Sequence, residues 1–132
     1  MEFNYLKGDK IKHPTREIDL EYIKKDENIS VVIFDSTKEY VYLVKKYRVA
    51  LSSYQYEIYS GDLSKIGNIK SVRKMKNCYY LSPGYTTEKT CFYEVVLEKD
   101  LYDDKFVKID VKKAINELVD LKSIFAIKHF KG

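Results

Sequence analysis

Little about the spacing of the nucleophiles, bases and metal ligands in this chain suits catalysis. Ser52 and Ser53 lack the flanking glycines of a nucleophile elbow, and Cys91 has neither an adjacent histidine nor a helix start to lower its pKa. Covalent catalysis is not expected. His13 and His129 lie far apart, neither with a Cys or Asp at ligand spacing, and Lys128 with His129 suits a helix C-terminus. Cys78 and Cys91 are separated by twelve intervening residues in strand-like segments. They do not support a zinc site, and although a disulfide could join them, reduced and half-buried thiols are the expectation. Lys65, Lys70, Arg73, Lys74 and Lys76 could offer positive charge to a diphosphate, but their placement reads first as a solvated strand face.

These residues must be positioned by a succession of short strands. Residues 16–22 alternate charged Glu17, Asp19 and Glu21 with apolar Ile18, Leu20 and Tyr22, the period of a half-buried strand. After a polar turn at 24–28, β-branched residues 29–34 and aromatic-rich residues 40–47 flank Asp35 and Ser36, a pattern that predicts a central hairpin. Further strands are expected at 54–59, 69–75, 78–81, 90–97 and 105–109, with loop at 64–68. A Ser82-Pro83-Gly84 turn is expected, in which glycine can take positive φ. The sheet should be mixed or antiparallel. Asp110 is an expected N-cap for a helix over 111–119 whose Val111, Ala114, Ile115 and Leu118 share a face. A second helix, 121–129, places Leu121, Ile124, Phe125 and Lys128 on the side predicted to pack on the sheet.

Length and composition narrow the classes. The chain of 132 residues fits one domain with its own core, and 45% hydrophobic with 33% charged residues is ordinary for a globular protein. No run approaches the about 18 apolar residues of a membrane span, and residues 1–12 lack a secretory apolar core, so no membrane partner and a cytoplasmic location are expected. The net charge of +4 is spread along the chain, which argues weakly for nucleic acid and makes that partner an unfavoured one.

The ordered segments VVIFD, YLVKKYR, YEIYSG, YYLSPGYTTE and LVDLKSIFAI resemble the ADP-ribose pyrophosphatase branch of the Nudix family. The likeness runs from Ile29 to the C-terminus. Lys46, Tyr47 and Arg48 match its Gln-Tyr-Arg strand end, residues 56–61 its Trp-Glu-Leu-Pro-Ala-Gly segment, and residues 82–84 its Ser-Pro-Gly loop. The resemblance implies an α/β (α+β) fold: a Nudix-like mixed β-sheet sandwich with C-terminal helices and without the catalytic Nudix helix. It implies one degenerate domain over 1–132, with a shortened N-terminal strand region at 1–28 and the Nudix-like core at 29–132. Family members use an N-terminal sheet segment in dimerisation, so a homodimer or another protein partner is an open expectation.

The resemblance also supplies the site. It places Arg48 at substrate phosphate or an acidic neighbour, Glu57 at metal or substrate, and the Ser60 carbonyl at metal; without partner acids, a structural ion pair is an equal expectation for Glu57. It makes Ser82, Gly84, Tyr85 and the trailing acid Glu88 parts of the ligand pocket. Of the tyrosines around these segments, Tyr85 is chosen to stack on an adenine. Gln to Lys46 and Pro to Tyr59 are departures.

The larger departure lies after Gly61, where the family carries its acidic signature on a loop, helix and loop. Here a short connection reaches residue 69, and Asp62 is its lone acid up to Cys78. Mg²⁺ needs several hard oxygen ligands, which this connection cannot provide. Residues 16–21 spell most of the Arg-Glu-U-x-Glu-Glu core, but they precede the hairpin and alternate like a strand, so the match is read as chance. The expectation is a pseudoenzyme that has no catalytic or metal-ligating residues of its own. It would bind an ADP-ribose-like or nucleotide-sugar ligand, or serve as an interaction module. The alternative is a divergent hydrolase recruiting Glu57, Asp62, Glu88 and Glu94, or acids from a partner chain, with Mg²⁺ as its cofactor.

Overall fold

The computed structural model describes residues 6–132. Positions 1–5, part of the stretch read for a secretory leader, lie outside the described residues. Among the described residues, ten strands and two α-helices follow one another. β1 (Lys7–Lys12) and β2 (Asp19–Lys24) form a separate antiparallel hairpin, after which β3 (Asn28–Phe34) and β4 (Tyr40–Arg48) enter the main sheet. β5 (Ser53–Glu57), β6 (Tyr59–Ser60), β7 (Ile69–Lys74), β8 (Tyr79–Tyr80), β9 (Lys89–Leu97) and β10 (Phe106–Asp110) precede α1 (Val111–Glu117) and α2 (Leu121–Lys131).

The main sheet is mixed and runs in the order β10-β4-β3-β9-β7; among the described residues it does not close into a barrel. β3 lies parallel to β9 from Asn28↔Thr90 to Phe34↔Val96. The predicted hairpin of β3 and β4 is real but brief, because the strands pair only at Ile33↔Tyr42 and Phe34↔Val41 before splaying apart. Into the fork runs the segment carrying β5 and β6. Glu57 faces Val44 on one side, while Tyr59 and Ser60 face Val31 and Ser30 on the other.

Alternation along β3 and β9 feeds two cores, one on each face. Val32, Phe34, Phe92 and Ile58 pack with Val111, Ala114, Ala126, Ile127 and Phe130 of the helices. Val31, Ile33, Val95 and Leu97 pack on the opposite face with Tyr42, Tyr59 and Ile66. That second face is covered by connections. The segment after Gly61 makes a single 3-10 turn, Leu63–Lys65, and Ile66 closes against the sheet. Gly61 is required where it stands, since its φ is +146° and an added Cβ would lie 3.0 Å from the Tyr59 hydroxyl.

Several expectations need correction. The cysteines are not reduced thiols: Cys78 and Cys91 form a disulfide. β8 and β9 pair as Tyr79↔Thr90 and Tyr80↔Lys89, so continuing that register sets Cys78 opposite Cys91. Gly84 takes no positive φ; the Ser82 carbonyl accepts the Tyr85 N–H at 3.2 Å, and the turn closes without that conformation. The buried face of α2 is Ser123, Ala126, Ile127 and Phe130, whereas Leu121 is 78% exposed. Ser123 turns the helix this way because its hydroxyl is needed inside. β1 was not foreseen, and Ile18 and Leu20, expected to be half-buried, are exposed. α1 ends at Glu117, where Leu118 turns extended and the chain reaches Asp120, the cap of α2. Asp110 caps α1 as expected, accepting the Lys112 and Lys113 N–H groups.

No helix among the described residues is long and apolar enough to cross a membrane. The disulfide closes a loop with a sequence separation of 13, and such cross-links typically contribute about 2–4 kcal/mol. Reduction, or Cys78→Ser, is expected to lower the unfolding free energy by about that amount in urea titrations. An unchanged midpoint on reduction would show that the link contributes nothing.

Candidate functional site

The fork in the sheet creates a local problem. Glu57 is 1% exposed, and the Ile58 N–H lies between strands that serve its neighbours on either side. Buried amides and charges need partners. The Ser123 hydroxyl accepts the Ile58 N–H at 2.9 Å and donates to the Asp120 carboxylate at 2.5 Å. Asp120, the N-cap of α2, also accepts the Ser123 N–H and holds Lys122 Nζ at 2.8 Å. Lys122 reaches back to Glu57 Oε1 at 3.0 Å. The first turn of α2 is thereby fastened to the fork.

Glu57 is fully engaged. Arg48 grips both its oxygens, with Nε 2.6 Å from Oε2 and Nη2 on Oε1, while Gln55 Nε2 donates to Oε2 at 2.7 Å. Burial pushes the carboxyl up, but the bonds from Arg48, Gln55 and Lys122 outweigh it and bring the group from 4.5 down to about 2. The hydrogen bond to Glu57 correspondingly raises Arg48. Of the roles open to Glu57, the structural ion pair is the one seen.

Above this network lies a cavity of about 440 Å³, lined by Lys46, Arg48, Ser60, Ser82, Tyr85 and Glu88 together with Lys25, Asn28, Leu81, Thr86, Asp120 and Lys122. Five of the seven residues singled out from the sequence therefore meet at one wall or another. Glu57 sits beneath the cavity, and Gly84 is absent from its lining. The Ser60 hydroxyl donates to Asn28 Oδ1 at 2.5 Å, and Lys25 pairs with Glu88 at 2.9 Å. Lys25, Asn28, Asp120 and Lys122 were missed; the one local signal was an Asp ahead of a helix, with Ser three positions on, the pattern of an N-cap.

Of the acids of the alternative hydrolase, Glu88 lines the cavity and Glu57 is paired with Arg48 and Lys122 of its lining, while Asp62 and Glu94 lie elsewhere. Asp62 caps the 3-10 turn through the Ser64 N–H, and Glu94 is buried between Lys38 and Arg73, whose side chains also reach the Phe130 carbonyl near the end of α2. Arg73 is thus committed to a structural pair, and none of the basic stretch 65–76 lines the cavity. Glu27 lies near both sulfurs, but joined in a disulfide they offer no thiolate to a metal.

No family model matches the sequence, and no curated protein matches it. Among solved structures, the fold is similar to the crystal structure of an ADP compounds hydrolase, with a TM-score of 0.69 and 10% identity over 99% of this chain and 87% of that one. At that identity the likeness speaks to the fold alone: a Nudix-like α+β architecture with a mixed sheet and two C-terminal helices.

Glu57 binds its proton more weakly folded than unfolded, so its contribution to stability is complete above about pH 4.5 and is lost as the pH falls toward 2. Acid titration of the unfolding free energy should show this step, and Glu57→Gln should remove it while costing about 3–5 kcal/mol through unpaired Arg48 and Lys122. Ser123→Ala, which strands the Ile58 amide, is expected to cost about 1–3 kcal/mol by the same measurement. A neutral Ser123→Ala variant would mean that water replaces the hydroxyl.

Proposed function

We propose that this chain is a Nudix-like pseudoenzyme that binds a nucleoside diphosphate derivative, of the ADP-ribose type, in the cavity beside Arg48 and Tyr85. The observation that carries the reading is the charge arrangement of that cavity. Its lining offers Lys25, Lys46, Arg48 and Lys122 against Glu88 and Asp120; Lys25 is paired with Glu88, Arg48 with Glu57, and Lys122 with Glu57 and Asp120, so Lys46, which has no carboxylate partner among the described residues, is the cation left open to a diphosphate. Lysine and arginine provide the direct, metal-free way to hold a diphosphate. Tyr85 is exposed at the rim, where its ring could stack on a base.

A divalent metal does not fit this donor set. Mg²⁺ requires several hard oxygens free to coordinate, yet both Glu57 oxygens, one Asp120 oxygen and one Glu88 oxygen are already held by cations. The connection after Gly61 is too short for an acidic catalytic helix, which supports reading the catalytic signature as lost. No step of hydrolysis is therefore assigned to these residues.

Incubation with ADP-ribose and Mg²⁺ or Mn²⁺ is expected to release no AMP, while ADP-ribose raises the melting temperature by mass action. Lys46→Ala and Tyr85→Ala should each weaken binding, the latter by about tenfold if its ring stacks on the base. Sustained turnover by the wild-type protein would defeat the pseudoenzyme reading. Absence of a thermal shift with any nucleotide would defeat the ligand assignment.

A further inference from the structure

Against the sequence expectation of no membrane partner, we infer that the free end of the β4–β5 hairpin is a docking tip for an anionic membrane surface. From Lys45 to Tyr54 every residue of the hairpin is exposed, although Lys46 and Arg48 also line the cavity. Its end is a 3-10 turn, Val49–Leu51, with Val49 81% and Leu51 60% exposed. Three consecutive apolar residues at the end of a projecting hairpin are costly in water and serve no core here.

The register orders the hairpin in layers. Behind the Val-Ala-Leu end, Arg48 faces Ser53, and its guanidinium is drawn back to Glu57. Next come Tyr47 and Tyr54, directly opposite one another with ring centroids 5.1 Å apart, both more than half exposed. Lys45 opposite Tyr56 and Lys46 opposite Gln55 follow, with the Lys45 ammonium 5.1 Å from the Tyr54 ring centroid. Aliphatic, then aromatic, then cationic is the sequence of chemistries met on leaving a bilayer, from acyl chain through interface to anionic headgroup. The turn also closes its own backbone, since the Ser52 N–H donates to the Val49 carbonyl at 3.1 Å, which lowers the cost of entering an apolar layer.

Charge selects this occupant over others. Residues 40–56 contain no Asp or Glu, so a second copy packed tip to tip would oppose lysine to lysine. Nucleic acid would satisfy the lysines but leave Val49 and Leu51 in water. A peripheral contact of this size needs no spanning segment and is reversible and salt-sensitive.

The test is flotation of the full chain with phosphatidylserine-rich or pure phosphatidylcholine vesicles. The wild-type protein is expected to float with the anionic vesicles only and to be released by high salt. Val49→Asp with Leu51→Asp should reduce partitioning on the order of tenfold or more, and Lys45→Glu on the order of fivefold. Circular dichroism and melting temperature should stay unchanged, because all three side chains are exposed. Wild-type protein that stays with the unbound fraction overturns the proposal, as does a folded Val49→Asp, Leu51→Asp variant that floats normally. A variant that converts a dimer to a monomer without any lipid binding would reassign the tip to a second copy.

Discussion

The Ile58 amide is the point on which the sheet, the last helix and the cavity all depend. β3 and β4 part after two residue pairs, and the segment that fills their fork changes partner between Glu57 and Tyr59. An amide at that change of partner must find an acceptor elsewhere. Ser123 supplies it, and Ser123 is in turn held by Asp120. From this one requirement follow the rotation of α2, the burial of Ala126, Ile127 and Phe130, and the delivery of Lys122 to Glu57.

The same bond explains how a carboxylate survives inside the sheet. Glu57 is affordable only because Arg48 arrives from the neighbouring strand and Lys122 from the helix. The Arg48 guanidinium alone would leave a half-satisfied buried charge, the arrangement that costs most. Polar satisfaction of Glu57 therefore draws on β4, β5 and α2 together.

The main strands were legible because Ile, Val and Phe recur in short runs bounded by turn residues, and β3, β4 and β9 fall close to their expected limits. The order of the segments also led to five cavity residues, since a chain that keeps its strand order keeps what lies at the strand ends. What was hidden depends on register and on distant pairs. Cys78 meets Cys91 only through the pairing of β8 with β9, and Lys122 meets Glu57 across 65 positions. The α2 face was misread because Ser123 is polar, so a hydrophobic pattern discards the residue that is most needed inside. β1, with Gly8 and three lysines, carries almost no strand preference and is held by pairing with β2.

The parallel pairing of β3 with β9 has a kinetic meaning. It joins residues about sixty positions apart, and parallel strands cannot meet through a tight turn. Loop-closure entropy must be met before that ladder gives anything back, so its long-range pairing slows folding relative to a hairpin. Until α2 docks, Glu57 has Arg48 and Gln55 but not Lys122, and the Ile58 amide has no acceptor. The cavity is therefore complete only when residues from 25 to 122 stand together.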